Sequence, residues 1–160
     1  MSLSTQVELT QALTFSGSTA LHAMGTIYFD YENAKAYRYS KVAAAVTNDV
    51  IAITESVCAD SGGVFYVNND FAEGTGLGVA TPMGVAISQI SEGYYGWMQV
   101  GGVATVITDG SVAAGEALVL DSSNDGDVDT MADGEEEQVF GFATADDADT
   151  VGTMLLKGLI

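Results

Sequence analysis

The sequence has very little positive charge. Its 160 residues include four Lys and Arg against 22 Asp and Glu, which gives a formal net charge of −18. Such a surface repels phosphate backbones, so the composition disfavours direct binding to nucleic acid. The imbalance is strongest in the second half, where Lys157 is the single base among 14 acids. The excess of acid fits either a solubilising surface in a saline setting or a basic partner, and composition does not choose between them.

The groups that carry most enzyme chemistry are also scarce. Cys58 is the only cysteine, so no internal disulfide can form. His22 is the only histidine, and with no second His or second Cys it is a poor start for a zinc site. No serine lies in a Gly-x-Ser-x-Gly context, the local signature of many hydrolases. We therefore expect no enzymatic activity, no catalytic residue, no cofactor, no metal and no small-molecule substrate.

Long apolar runs are absent as well. No stretch approaches the roughly 18 apolar residues of a membrane-spanning helix. The amino terminus lacks the basic start and apolar core of a secretory signal. The expectations from these two absences are no membrane partner and synthesis in the cytoplasm.

What the chain does contain is typical of strands and turns: 19 Gly, one Pro, and many Val, Thr, Ala and Tyr. The runs 25–29 and 35–42 flank a cluster of turn residues and predict a β-hairpin. A two-residue period places Lys35 and Lys41 on one face of the second strand and Arg38 on the other.

Further short apolar runs continue to the end of the sequence. Many short strands separated by turn signals predict an all-β fold with little helix, a small β-sandwich or β-barrel, over a single domain at 21–160. Pro82 interrupts one of the runs, which suits an edge or a bulge. The predicted strands lie at 49–53, 63–67, 79–90, 97–107, 117–120, 128–131, 138–143 and 151–160.

The segment 1–20 differs from the rest of the chain. It is rich in Ser, Thr and Gln, and its apolar residues are too sparse to indicate helix or strand. We interpret residues 1–20 as an extended N-terminal arm that needs a partner to become ordered. Its candidate partner-binding residues are Leu3, Val7, Leu9, Leu13 and Phe15.

Two segments look like ligand loops but fit poorly. Asp121–Asp129 matches the first positions of an EF-hand calcium loop, but position twelve is Ala132, where a bidentate Glu is needed. A solvated hairpin tip is favoured there, and calcium binding stays undecided. The glycine-rich loop at 70–78 lacks the spacing and the Lys-Ser/Thr of a phosphate loop, and it carries Asp70 and Glu73. We interpret it as a turn.

Several segments together resemble a known family. The segment 93–106 combines three aromatic residues with valines between glycines, and it is similar to the central strand of the capsid decoration, or cement, proteins of tailed phages. Segments 25–28 and 35–39 resemble the opening hairpin of that family. Segments 136–143 and 154–159 resemble its closing strands.

The resemblance implies a compact, β-tulip-like domain that forms a homotrimer. It implies binding to the major capsid protein on the outer surface of the virion's icosahedral shell, which would be stabilised by bridging of capsomers after assembly in the host cytoplasm. The arm at 1–20 would help to grip the shell, and the candidate charged contacts are Lys35, Arg38 and Lys41. Two alternatives remain: another virion part such as a head-fibre base, or a β-sandwich carbohydrate-binding or adhesive module.

Overall fold

The structure is a computed structural model. It confirms an all-β fold, with ten strands and no helix among the residues that it describes. The described residues are 12–43, 45–46, 51–54, 66–68, 82–110, 112–121, 124–133, 139–147 and 150–158. The strands are β1 Ile27–Asp30, β2 Lys35–Val42, β3 Ile51–Thr54, β4 Tyr66–Asn68, β5 Pro82–Ala86, β6 Tyr95–Ile107, β7 Ala117–Leu120, β8 Val128–Thr130, β9 Gly141–Ala143 and β10 Val151–Leu156.

The first half of the molecule closes into a ring of five strands. The pairings run β2–β4–β3–β5–β6, and β6 pairs back onto β2. Strand β1 extends β2 as the predicted hairpin, and the β2–β4 pair is parallel whereas the other pairs are antiparallel. We call this ring the first barrel. Ring closure gives each of the five strands a neighbour on both sides, whereas β1 pairs only with β2.

The second half forms another ring on the same long strand. Strand β6 continues into pairings with β10, then β9, β7 and β8. Thr108 and Val128 form an isolated bridge, and the Asp109 amide donates to the Val128 carbonyl at 3.1 Å. These contacts join β8 to the residues that directly follow β6 and close the ring. We call this ring the second barrel. Of the two predicted architectures, a barrel describes the chain better than a sandwich, and β6 belongs to both rings.

Strand β6 passes from one ring to the other at a glycine pair. Ala36 is opposite Gly101 while Tyr37 is opposite Gln99, so one residue of β6 is bulged out. Gly102 follows with a φ of +83°, and a Cβ there would overlap the Ala34 carbonyl oxygen. Glycine is therefore required at this position, both for its left-handed backbone and for the close approach of the β1–β2 turn.

Each barrel has its own buried cluster, and the clusters are linked. Val85 of β5 packs with the second cluster, whereas Ile107, at the end of β6, packs against the first. The first cluster consists of Val42, Val46, Val67, Met83, Ala86, Ile90 and Met98. The second consists of Val85, Ala104, Val106, Val112, Leu118, Val128, Phe140, Ala143, Met154 and Leu156.

A third cluster lies on the face shared by β2 and the first half of β6. Tyr37, Tyr39 and Trp97 form its buried centre. Tyr39 and Trp97 are tilted with their ring centroids 5.1 Å apart, and the ring of His22 lies 5.2 Å from each of them. His22 thus packs as an aromatic neighbour within the cluster, which we call the aromatic cluster.

The described part of the predicted arm covers this aromatic cluster. Gly17 and Tyr95 exchange two backbone hydrogen bonds of 3.2 and 2.9 Å. The Leu21 amide donates to the Tyr39 hydroxyl at 3.2 Å, and Leu13 is half-buried against the cluster. Residues 12–25 therefore pack on their own domain. Partner binding by Leu13 and by the exposed Phe15 stays a prediction.

Several predictions concern residues outside the described part. These are Leu3, Val7 and Leu9 of the arm, the Cys58 thiol, and the glycine-rich loop at 70–78. Within the described part, β2 has the predicted bounds. Pro82 is the first residue of β5, and the register of β5 against β3 shifts between Gly84 and Pro82, which agrees with the predicted bulge. No helix of the described residues has the length and apolarity to cross a bilayer.

Candidate functional site: an exposed apolar face and a hairpin pocket

The second barrel presents an apolar row on its outer surface. Val103, Leu155 and Phe142 lie opposite one another across β6, β10 and β9. Their neighbours Ala104 and Met154 point into the barrel and are buried, as strand alternation requires. The three outward side chains are 45%, 47% and 41% exposed, respectively. Large apolar side chains at adjacent positions on an outer face are typical of an interaction surface.

The next row on the same face is made of hydroxyl groups. Thr105 lies opposite Thr153, whose hydroxyl is 2.6 Å from the hydroxyl of Thr144. Alternation along β10 also brings Val151 to this face, and it is 52% exposed. We call the two rows and Val151 the apolar face. None of these side chains carries a charge, although the chain as a whole has a net charge of −18.

The sequence predicted the strands of this face without predicting its exposure. Strand β10 has apolar residues on both of its faces, with Met154 and Leu156 inside and Val151 and Leu155 outside. A run of this kind indicates a strand buried on both sides. Strand alternation alone therefore could not reveal which row stays open.

A second surface feature is an open pocket beside the β1–β2 turn. Its volume is about 340 Å³. The rings of Phe29 and Tyr31 stack at its edge with their centroids 6.0 Å apart and an angle of 22° between their planes. Tyr31 is 78% exposed. We call this the hairpin pocket; it is lined by Phe29, Asp30, Tyr31, Ala34, Lys35, Ala36, Gly101 and Gly102.

The turn that carries these rings is held by its own hydrogen bonds. The Asp30 carboxylate accepts from the Asn33 backbone amide at 3.1 Å and from the Asn33 side-chain amide at 2.8 Å. These bonds lower the pKa of Asp30 below its ordinary value. Ala34 has a φ of +52°, and its carbonyl lies against Gly102. One side of the pocket is therefore formed by a hydrogen-bonded turn, and its base is formed by the glycine pair of β6.

The three candidate basic contacts on β2 do not form one patch. Lys35 lines the hairpin pocket. The ammonium nitrogen of Lys41 is 5.5 Å from the centroid of the Tyr95 ring, within cation–π range. Arg38 is on the opposite face of the strand, where partial burial lowers the pKa of its guanidinium group. Their role as partner contacts remains a prediction.

The aspartates of the β7–β8 region lie close to the end of β6. Burial and the nearby Asp121 raise the pKa of Asp127, and burial together with Asp129 raises the pKa of Asp109. The Asn124 side chain donates to Asp121 at 2.6 Å. Among the described residues, which omit 122–123, no group of three or more His, Cys, Asp or Glu residues is arranged to hold a metal ion.

Comparison with known proteins gives a structural match. No family model and no curated protein matches the chain. The crystal structure of the N base of the head fiber protein gp8.5 from bacteriophage phi29 matches with a TM-score of 0.51 and 16% sequence identity, over 76% of this chain and 92% of that chain. The two chains share a fold. The match covers nearly all of the fiber base, so the shared fold extends beyond a single hairpin.

Proposed function

We propose that this chain is a structural protein of a tailed-phage head, bound to the outer surface of the shell and without catalytic activity. The observation that carries the proposal is the fold shared with the phi29 head fiber base. The order of strand segments similar to capsid decoration proteins supports it from the sequence side.

The apolar face offers a physical basis for attachment. Val103, Phe142 and Leu155 are large enough to act as anchors, and burying apolar surface contributes about 25 cal/mol per Å². A protein that binds only the assembled lattice stabilises it by linkage, because separation of the capsomers would also release the bound protein. Several copies acting together would strengthen weak individual contacts through effective concentration.

We also propose a homotrimer, with the major capsid protein as partner. The net charge of −18 favours a basic binding surface on the partner, because this chain is attracted to a basic surface and repelled by an acidic one. Light scattering of the free protein should give three times the 16.5 kDa of one chain, or chemical cross-linking of shell-bound protein should give that mass if the trimer forms only on the shell. A monomer in both states would contradict the trimer.

A second candidate is the base of a head fibre, which the match to the phi29 protein favours directly. Both candidates attach to the head; they differ in whether the domain bridges capsomers or carries a fibre. Shells coated with the protein should resist heat or chaotrope better than bare shells if it acts as cement. A fibre base would bind without this effect.

The test of attachment is co-sedimentation with expanded, empty tailed-phage shells. Wild-type protein should pellet with the shells and saturate. Leu155→Lys should weaken binding at least about tenfold, because it places a charge in the apolar row. Tyr94→Lys is the matched control, since Tyr94 is also partly exposed but lies outside the apolar face. The proposal would be overturned if the wild-type protein did not pellet with any shell tested.

A further inference from the structure

We infer that the hairpin pocket binds a single apolar side chain, Leu or Phe in size, presented by a basic segment of a partner protein. The inference goes beyond the proposed function, because it assigns a second contact away from the apolar face and holds for a shell protein or any other protein partner. It is carried by the pocket's lining, its rigidity and its charge.

The lining favours an apolar group over a polar ligand. Six of the eight residues are apolar, aromatic or Gly, and the charged exceptions are Asp30 and Lys35. Asp30 already accepts two hydrogen bonds from Asn33. A saccharide needs hydrogen-bonding partners for its hydroxyl groups besides an aromatic ring to pack on, whereas an aliphatic or aromatic side chain needs only apolar walls. A volume of about 340 Å³ is near the lower end for ligand pockets, and it leaves room for one apolar side chain together with part of the segment that presents it.

The pocket is also built before any partner arrives. The bonds between Asp30 and Asn33 hold the turn, and the turn rests on Gly102. Phe29 and Tyr31 are therefore displayed as a stacked pair on a fixed frame. A preorganised site loses less conformational entropy when it binds, and exposed aromatic residues are enriched among the residues that dominate protein interfaces.

The net negative charge of the turn favours basic residues on either side of the inserted side chain. The turn carries two acids, Asp30 and Glu32, against one base, Lys35, on a protein with a net charge of −18. Asp30 is ionised at neutral pH, and the hydrogen bonds from Asn33 lower its pKa further. A partner segment with Lys or Arg beside its apolar residue would be attracted to this surface, and one with Glu in those places would be repelled.

The test uses the isolated full chain and short peptides, followed by ¹⁵N NMR. The probe is acetyl-Lys-Lys-Leu-Lys-Lys-amide, compared with one peptide that has Ser for Leu and another that has Glu for every Lys. We expect saturable shifts at the amides of Tyr31, Gly101 and Gly102 with the probe. Binding of each comparison peptide should be at least about tenfold weaker.

Substitutions at Tyr31 locate the site. Tyr31→Ala should weaken the probe about tenfold, whereas Tyr31→Phe, which keeps the ring, should bind like wild type. Tyr94→Ala is the control for loss of an exposed ring elsewhere. Because Tyr31 is largely exposed, the variants should keep the wild-type spectrum outside the turn.

Three results would overturn the inference: no localised shifts with the leucine probe, equal binding of the serine peptide, or unchanged binding by Tyr31→Ala. Saturable binding of methyl β-glucoside at the pocket in place of the peptide would identify a sugar site and would also overturn it. A negative result in this peptide test would not count against the proposed shell attachment, because no shell is present and the apolar face is not altered.

Discussion

The outer side chains along β6 are covered on the first barrel and exposed on the second, although β6 belongs to both barrels. In the first half of β6, Trp97 is covered by residues 12–25 and is 3% exposed. In the second half, Val103 and its cross-strand neighbours Leu155 and Phe142 remain exposed on the apolar face. The chain provides a cover for one half of the strand, and no described residue covers the other.

This difference separates side chains that stabilise the fold from side chains available to a partner. The aromatic cluster should contribute chiefly to the free energy of unfolding, because its area is buried within one chain. The apolar face should contribute chiefly to binding, because much of its area is still in contact with water. The comparison would fail if a substitution in the aromatic cluster affected mainly binding, or if one on the apolar face affected mainly the free energy of unfolding. The following predictions run from the largest expected effect to the smallest.

Trp97→Ala should lower the free energy of unfolding by about 3–5 kcal/mol, because it leaves a large cavity in the aromatic cluster. Leu155→Ala on the apolar face should cost less than about 1 kcal/mol. Urea denaturation of both variants measures the difference. Equal losses would mean that the apolar face is a structural element of the isolated chain and would remove the distinction between the two halves.

Gly102→Ala should lower the free energy of unfolding by roughly 2–3 kcal/mol. The reason is that it combines a left-handed backbone with a collision against Ala34. Gly93→Ala is the matched control: its φ is +77°, but nothing lies within 4 Å of the added Cβ. It should lose only the backbone contribution of about 1–2 kcal/mol. Thermal unfolding compares the two, and equal losses would contradict tight seating of the turn on β6.

Leu13→Ala should lower the free energy of unfolding by about 1 kcal/mol, because Leu13 is half-buried against the aromatic cluster. Phe15→Ala should change it by less, within about 0.5 kcal/mol of wild type, as is usual for surface substitutions. Phe15 is exposed, so its truncation removes little buried area. Denaturant titration tests both. If Phe15→Ala instead weakens shell binding while stability is unchanged, the arm contributes a partner contact as well as a cover.

The smallest effect concerns pH and the aspartates of the second barrel. Because the pKa values of Asp109 and Asp127 are raised in the folded state, the folded protein binds more protons than the unfolded chain at pH values above the ordinary 3.8. Stability from this source therefore increases as the pH falls from neutral towards that value. The lowered pKa of Asp30 has the opposite sign, but its window lies below 3.8.

Asp127→Asn should raise the melting temperature slightly at pH 7 and reduce its increase on acidification to pH 4.5. Melting curves at the two pH values provide the measurement. A steeper dependence in Asp127→Asn would contradict a pKa of Asp127 that is raised by burial and by the nearby aspartates.

The strand pattern could be predicted wherever local signals agreed. Strand β2 has the predicted bounds because turn residues precede it and its alternating side chains favour a strand. The long β6 could be recognised from its valines and aromatic residues. The hairpin of β7 and β8 was indicated by the Asp-rich turn between them, and their antiparallel pairing confirms it.

The features that define the candidate sites depend on contacts distant in sequence. Strand β6 changes rings where Gly102 meets Ala34 of the β1–β2 turn. The cover over the aromatic cluster depends on Gly17 pairing with Tyr95, and the sparse apolar pattern of residues 1–20 gave no sign of it. The hairpin pocket likewise needs the turn and the glycine pair to meet, so neither segment alone could indicate a cavity.

The sharing of β6 by two rings has a consequence for how the domain opens. Its thirteen consecutive residues supply backbone partners to β2 and β5 at one end and to β10 at the other. Neither ring can release this strand without removing one wall of the other. Amide protons in β2 and β10 should therefore exchange with deuterium through one common event, with similar protection, and the two halves should behave as a single cooperative unit.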